Sequence, residues 1–133
     1  MPRERLTDAQ LAHLTLRGAL GVNICMHGLA RLPRLHAFAD GMVKDFAGTA
    51  LPPSFVFGFA SALAPLEALI GACILLGIKL RTALAAGAAV MIALAFGTCL
   101  RQEWNVAGLQ LVYSLAYFAL LARLADARWR LLE

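Results

Sequence analysis

Hydrophobic residues in this chain fall in long runs, not in the short alternations of a soluble fold. Four runs of about 19–25 residues can be drawn, near 8–32, 54–76, 82–100 and 105–124. A helix of that length, rising 1.5 Å per residue, covers the ~30 Å of a bilayer's hydrocarbon. The ends of the runs carry stop and start signals. Thr7-Asp8-Ala9-Gln10 reads as a capping box for the first, and Pro33 closes it. Pro52-Pro53 break the chain before the second, Ser54 is a candidate cap, and Gly77 suits its C-terminal end. Thr82 opens the third. Asn105 opens the fourth, with Trp104 at interface level. Between the first two runs, Leu35, Phe38, Ala39, Met42, Val43 and Phe46 recur every three to four residues. That spacing predicts an amphipathic helix near 34–47. It has two readings: a helix lying in the outer membrane interface, or a loop helix packed on the bundle end. The pattern as a whole predicts an all-α fold. It is a single integral membrane domain over 1–133, an antiparallel four-helix transmembrane bundle with an interfacial helix between the first two spans.

Composition strengthens the membrane reading. Apolar residues make up 61% of the chain, against roughly 45–50% in a soluble domain. Charged residues make up 15%, against about 25%. The net charge of +4 would raise nucleic acid as a partner in a soluble protein. Here the basic residues sit at the ends of apolar runs, so the partner they imply is a lipid bilayer, with no nucleic acid. With four spans, Arg3, Arg5, Lys79, Arg81, Arg123, Arg128 and Arg130 fall on one side and Arg31, Arg34, Lys44 and Arg101 on the other. The excess places both termini in the cytoplasm of a multi-pass protein of a bacterial-type inner membrane. The first run is too long for a signal-peptide core, and no clean cleavage motif follows it. Cys25, Cys73 and Cys99 form no C-x-x-C pair and read as small core residues.

The polar residues inside the runs are the candidate chemistry, because ionisable groups at membrane depth cost several kcal/mol unless paired or hydrated. Arg17, Gly21, His27, Gly28 and Arg31 share one face of the first span, with Asn23 near its edge. The glycines let another helix come close. The second span has one acid, Glu67, with Gly71 a turn further on and Pro65 as a local bend. Gln110, Tyr113, Ser114 and Tyr117 form a polar stripe on the fourth span, while the third is nearly all small residues. The helical rise sets Arg17 roughly 6 Å below Glu67. Two layers follow as expectations. One is a buried Arg17–Glu67 pair extended by Tyr117, either fixing helix register or relaying a proton. The other is an outer layer of His27, Asn23 and Gln110. His27 is open to two readings, a helix-to-helix hydrogen bond or a ligand contact. His13 and His36 are expected to be solvated at the interfaces. No metal-ligand spacing, hydrolytic triad or phosphate loop is present in the sequence.

Arg17, Gly21, His27, Gly28 and Arg31, followed by Glu67, Gly71, Gly77, Lys79, Arg81 and Thr82, resemble the DoxX-like family of membrane proteins. The resemblance covers most of residues 14–122, including the small-residue third span. Arg31 stands where the family's first motif usually has Lys. The Gly-Pro-Gly and Ser-Leu-Asp stretch that often follows the fourth span is replaced by ALLARLADARWRLLE. The resemblance implies a four-helix inner-membrane protein that serves as a small subunit or accessory of a quinone-linked redox system, thiosulfate or thiol. On that reading a quinone is the cofactor, contacted by His27, Gln110 and Tyr113. The rival is a non-enzymatic anchor, assembly or stabilising factor for a partner protein. Both imply a protein partner or a homo-oligomer, and whether the chain itself catalyses anything stays open.

Overall fold

Thr7 and Gln10 start the first helix by satisfying each other's exposed donors. In the computed structural model the Gln10 N–H donates to Thr7 Oγ1 at 3.2 Å, and the Thr7 N–H donates to Gln10 Oε1 at 3.1 Å. The structure describes residues 5–133, so Arg3 of the topology count lies outside it. From this cap α1 runs Asp8–Arg31. A 3-10 turn at Leu32–Arg34, carrying Pro33, leads into α2, Leu35–Asp45. α3 is Pro53–Leu76, α4 is Leu80–Leu100 and α5 is Trp104–Ala122. A last 3-10 turn covers Leu124–Asp126. The described residues contain no strand, only one isolated bridge between Ile78 and Leu132.

Three sequence-based caps are corrected. Pro53 begins α3, because a proline has no N–H to leave unsatisfied in the first turn; Pro52 is the cap and Ser54 lies inside the helix. α4 starts at Leu80, two residues before Thr82, since Lys79 turns the chain in a left-handed conformation. α5 starts at Trp104 with Glu103 as its cap, so Asn105 is already helical. Gly77 closes α3 at φ +70°, a region open to glycine at little cost, and α3 continues through Pro65.

α3, α4 and α5 are each long and apolar enough to cross a membrane. α1 equals α3 in length, but Arg17, Asn23, His27 and Arg31 keep it out of that set. The outer surface is strongly apolar. Ile92, Phe96, Leu109, Leu111, Val112, Leu115 and Phe118 are all more than 60% exposed. Contiguous apolar surface of this kind is costly in water and normal in lipid.

α1 lies along α3, and α5 along α4, with lighter contact between the two pairs. The first seam is close enough to bring main chains together. A Cβ at Gly28 would meet the Ala68 nitrogen and the Ala64 carbonyl oxygen; one at Gly71 would meet the Cys25 main chain. In the second seam the hydroxyl end of the buried Tyr117 ring packs directly on Gly87. α2 covers α3 with the face predicted from its spacing: Ala39 is buried and Phe38, Met42 and Phe46 are half-buried, while His36, Asp40 and Lys44 are exposed. Of the cysteines, Cys25 and Cys73 are half-buried, whereas Cys99 is exposed on α4 rather than in the core.

The chain then doubles back. The Lys79 N–H donates to the Leu132 carbonyl at 2.8 Å and the Leu131 N–H to the Leu76 carbonyl at 3.3 Å. Ala127 is buried under this strap. The largest fully buried side chains, Ile74, Leu84, Tyr117 and Leu120, pack in one hydrophobic cluster with Ala127.

If the seam depends on main-chain contact, Gly71→Ala lowers stability by about 1–3 kcal/mol, the usual cost of overpacking. Gly58→Ala, on the same helix but facing open space, leaves stability unchanged or slightly raised. Denaturant-induced unfolding of the two purified variants in one detergent provides the comparison.

Candidate functional site

The α1–α3 seam decides which polar groups meet. Residues 21, 25 and 28 of α1 stand against residues 75, 71 and 68 of α3, so numbers fall on one helix as they rise on the other. In that register Glu67 lies opposite residue 29, within half a turn of Arg31. Arg31 Nη1 donates to Glu67 Oε2 at 2.6 Å, and the carboxylate side chain is only 6% exposed. The same register carries Arg17 past the end of α3, to the level of residue 79. There Nη1 donates to the Arg128 carbonyl at 2.8 Å and Nη2 to the Trp129 carbonyl at 3.2 Å.

The expected Arg17–Glu67 pair is therefore corrected. It assumed that α1 begins and α3 ends in one plane. α1 instead overhangs the end of α3 by about twelve residues, and the C-terminal strap meets the overhang at Arg17. Tyr117 does not extend that pair; its ring packs on Gly87. His13 is also corrected, from solvated to buried, because the overhang brings its Nε2 within 3.1 Å of the Leu120 carbonyl. His36 does stay exposed, 3.3 Å from Asp40.

At the opposite end, under α2, the two helix pairs separate around a cavity of about 520 Å³. That volume suits a small-molecule ligand. α1 contributes Asn23, His27 and Arg31, and α3 contributes Phe59 and Glu67. α4 contributes Met91 and Thr98, its C-cap contributes Arg101, and α5 contributes Gln110 and Tyr113. The structure thus brings Asn23, His27, Glu67, Gln110 and Tyr113 to one space and leaves Arg17 and Tyr117 outside its lining. The polar stripe of α5 is the reason for its half: Gln110, Tyr113 and Ser114 are half-buried and Tyr117 is buried, while Leu111, Val112 and Leu115 face outward.

Much of the cavity's polar chemistry is already committed. Gln110 Nε2 donates to Thr98 Oγ1 at 2.9 Å, and the Thr98 hydroxyl donates to the Leu94 carbonyl at 2.8 Å. His27 Nδ1 lies 2.8 Å from the Asn23 carbonyl, which can only accept, so Nδ1 carries the hydrogen. The two arginines mark the α2 end. The Arg31 guanidinium lies over Phe38 at 4.6 Å and that of Arg101 over Phe46 at 5.4 Å. Arg101 also donates from Nε to the Asp45 carbonyl and lies 3.6 Å from Glu103. Asn23 Oδ1 and Gln110 Oε1 are buried with no protein partner.

Thr98 and Arg101 are cavity residues that the sequence did not single out. Thr98 lies in a run read as packing surface, and only its hydroxyl marks it. Arg101 was counted as a topology charge. No family model matches the chain, and no curated protein or solved structure matches it significantly.

The pairing has a direct thermodynamic signature. In unfolding measurements, Arg31→Gln and Glu67→Gln should be coupled by about 1 kcal/mol or more, because they share one ion pair. Arg17→Gln and Glu67→Gln should add within about 0.5 kcal/mol, as distant sites do.

Proposed function

We propose that this chain is a DoxX-like protein of the bacterial-type inner membrane, with four helices crossing as an antiparallel bundle. α2 lies along the outer interface, and both termini are cytoplasmic. The outward residues of α1 support its crossing: Val22, Met26 and Leu29 are exposed and apolar, while Arg17, Gly21 and Gly28 are buried. The sorting of charge supports the orientation. Lys79, Arg128 and Arg130 belong to the end closed by the strap, and Arg31 and Arg101 to the end under α2.

Its function, on this reading, is that of a small subunit or accessory in a quinone-linked redox system, thiosulfate or thiol, working beside a partner protein. The observation that carries the reading is the cavity and its mouth. Phe55, Phe96 and Leu109 line it and are each more than half exposed, so it opens on the apolar flank of the molecule. A ligand dissolved in the bilayer reaches such a site without passing through water. Quinones need an apolar slot, an aromatic wall and a few polar atoms for the ring oxygens. Phe46, Phe59 and Tyr113 supply the wall, and His27 and Gln110 the polar atoms.

The non-enzymatic reading, an anchor or stabiliser of a partner, draws support from α5. Leu111, Val112, Leu115 and Phe118 form an outward apolar face on which a partner helix could pack.

Extraction of the purified protein with organic solvent, followed by quinone quantification, separates the two. The quinone reading expects about one quinone per chain in the wild type. It expects at least about fivefold less in the folded double variant His27→Ala, Gln110→Leu, which lacks both polar contacts. Equal content in both, or none in the wild type, contradicts it.

A further inference from the structure

The strap is held by its main chain, which leaves its large side chains unspent. The buried Arg17 donates to the carbonyls of Arg128 and Trp129. The Leu131 N–H and the Leu132 carbonyl pair with Leu76 and Lys79 of the link. The strap lies so close to Gly77 that a Cβ there would meet the Arg130 Cα and the Trp129 carbonyl oxygen. Of residues 127–133 only Ala127 is buried. Trp129, Leu131 and Leu132 are 67%, 66% and 59% exposed. Trp129 holds its place at φ +52°, a left-handed conformation that a bulky side chain rarely adopts. Basic residues surround these apolar ones. Lys79, Arg81, Arg128 and Arg130 are all exposed. The acids nearby have partners of their own: Glu133 lies 3.3 Å from Arg130, and Asp126 lies 2.7 Å from Arg123. Among the described residues no acid lies within ion-pair reach of Lys79 or Arg81.

Exposed indole and leucine side chains beside cations suit the headgroup level of a bilayer, where an aromatic ring meets the acyl chains and its N–H stays wet. We propose that the strap and the adjoining link form a docking surface for anionic phospholipid headgroups. Lys79 and Arg81 meet the headgroup charge, and Trp129, Leu131 and Leu132 seat in the boundary between headgroups and acyl chains. A zwitterionic headgroup carries a cation of its own, so the two unpaired basic residues favour lipids with net negative charge. Attraction to an anionic leaflet is worth about a fivefold gain in association per basic residue. Arg17 touches no lipid in this arrangement. It is a positioning residue, which sets the strap through two carbonyls and so sets Trp129 beside Lys79. The inference rests on the reading that the bundle crosses the bilayer.

The chain's two tryptophans, Trp104 and Trp129, lie at opposite ends of the bundle and supply the test. The full chain is reconstituted in phosphatidylcholine vesicles that hold a matched fraction of brominated phosphatidylglycerol or brominated phosphatidylcholine, whose bromines quench indole fluorescence on contact. Trp104→Phe leaves Trp129 as the reporter, and Trp129→Phe leaves Trp104. At Trp129 phosphatidylglycerol should associate about fivefold more strongly than phosphatidylcholine, or better. Adding Lys79→Gln and Arg81→Gln, or about 1 M salt, should bring that ratio toward one. The Trp129 emission maximum should not move in that variant, because main-chain bonds hold the strap. At Trp104 the ratio should stay near one, since Arg101 there is taken by the Asp45 carbonyl and Glu103. Equal quenching by the two lipids at Trp129, a ratio unmoved by the paired substitutions, or one ratio at both tryptophans overturns the docking surface while leaving a bundle in the bilayer. Quenching of neither tryptophan by either lipid overturns the crossing as well.

Discussion

Where the main chains of α1 and α3 touch, at Gly28 against Ala64 and Ala68 and at Gly71 against Cys25, neither helix can slide. A shift of one turn would be about 5.4 Å, and it would carry Glu67 away from Arg31. A carboxylate on the buried face of an apolar helix is tolerable only with a cation in reach. The seam supplies that cation at 2.6 Å. The same register pushes Arg17 beyond α3, away from Glu67. Main-chain carbonyls of the folded-back tail take its place. Two glycines thus decide the partners of two ionised groups, and with them the need for a C-terminal strap.

The two ends of the molecule differ for the same reason. At the strap end, the helices, the link at residues 77–79 and the tail close on one another; His13 Nε2 and the Arg17 guanidinium meet carbonyls, while His13 Nδ1 is buried without a partner. At the α2 end the pairs diverge. Met42, Phe46 and the two arginines roof the gap without filling it. Asn23 Oδ1 and Gln110 Oε1 are buried there without a protein partner. Phe55, Phe96 and Leu109 line the cavity and are exposed on the apolar flank of the molecule.

Most helices were legible from the sequence. The apolar runs matched the four long helices within about two residues, and the Thr7–Gln10 box and Gly77 mark the ends they were expected to mark. The stripes of α2 and α5 named the inward faces, because 3.6-residue periodicity survives in a chain with apolar residues everywhere. The partner of Arg17 was not legible. Main-chain carbonyls carry no residue identity, and ALLARLADARWRLLE has no pattern that announces a strap. Axial depth was misjudged because rise per residue fixes distances within a helix and says nothing of the offset between two helices. Arg31 was overlooked as the partner of Glu67 for that reason. Thr98 was hidden among small residues whose common role is packing.

The most direct measurement of the central claim is residue-resolved nuclear magnetic resonance of the protein in lipid nanodiscs, titrated with a short-tailed quinol. Perturbation of the His27 imidazole, the Gln110 side-chain amide and the Tyr113 ring, with His13 and Arg17 unmoved, is the expected result. Perturbation confined to the outward residues of α5, or centred on His13 and Arg17, would contradict a ligand cavity beneath α2.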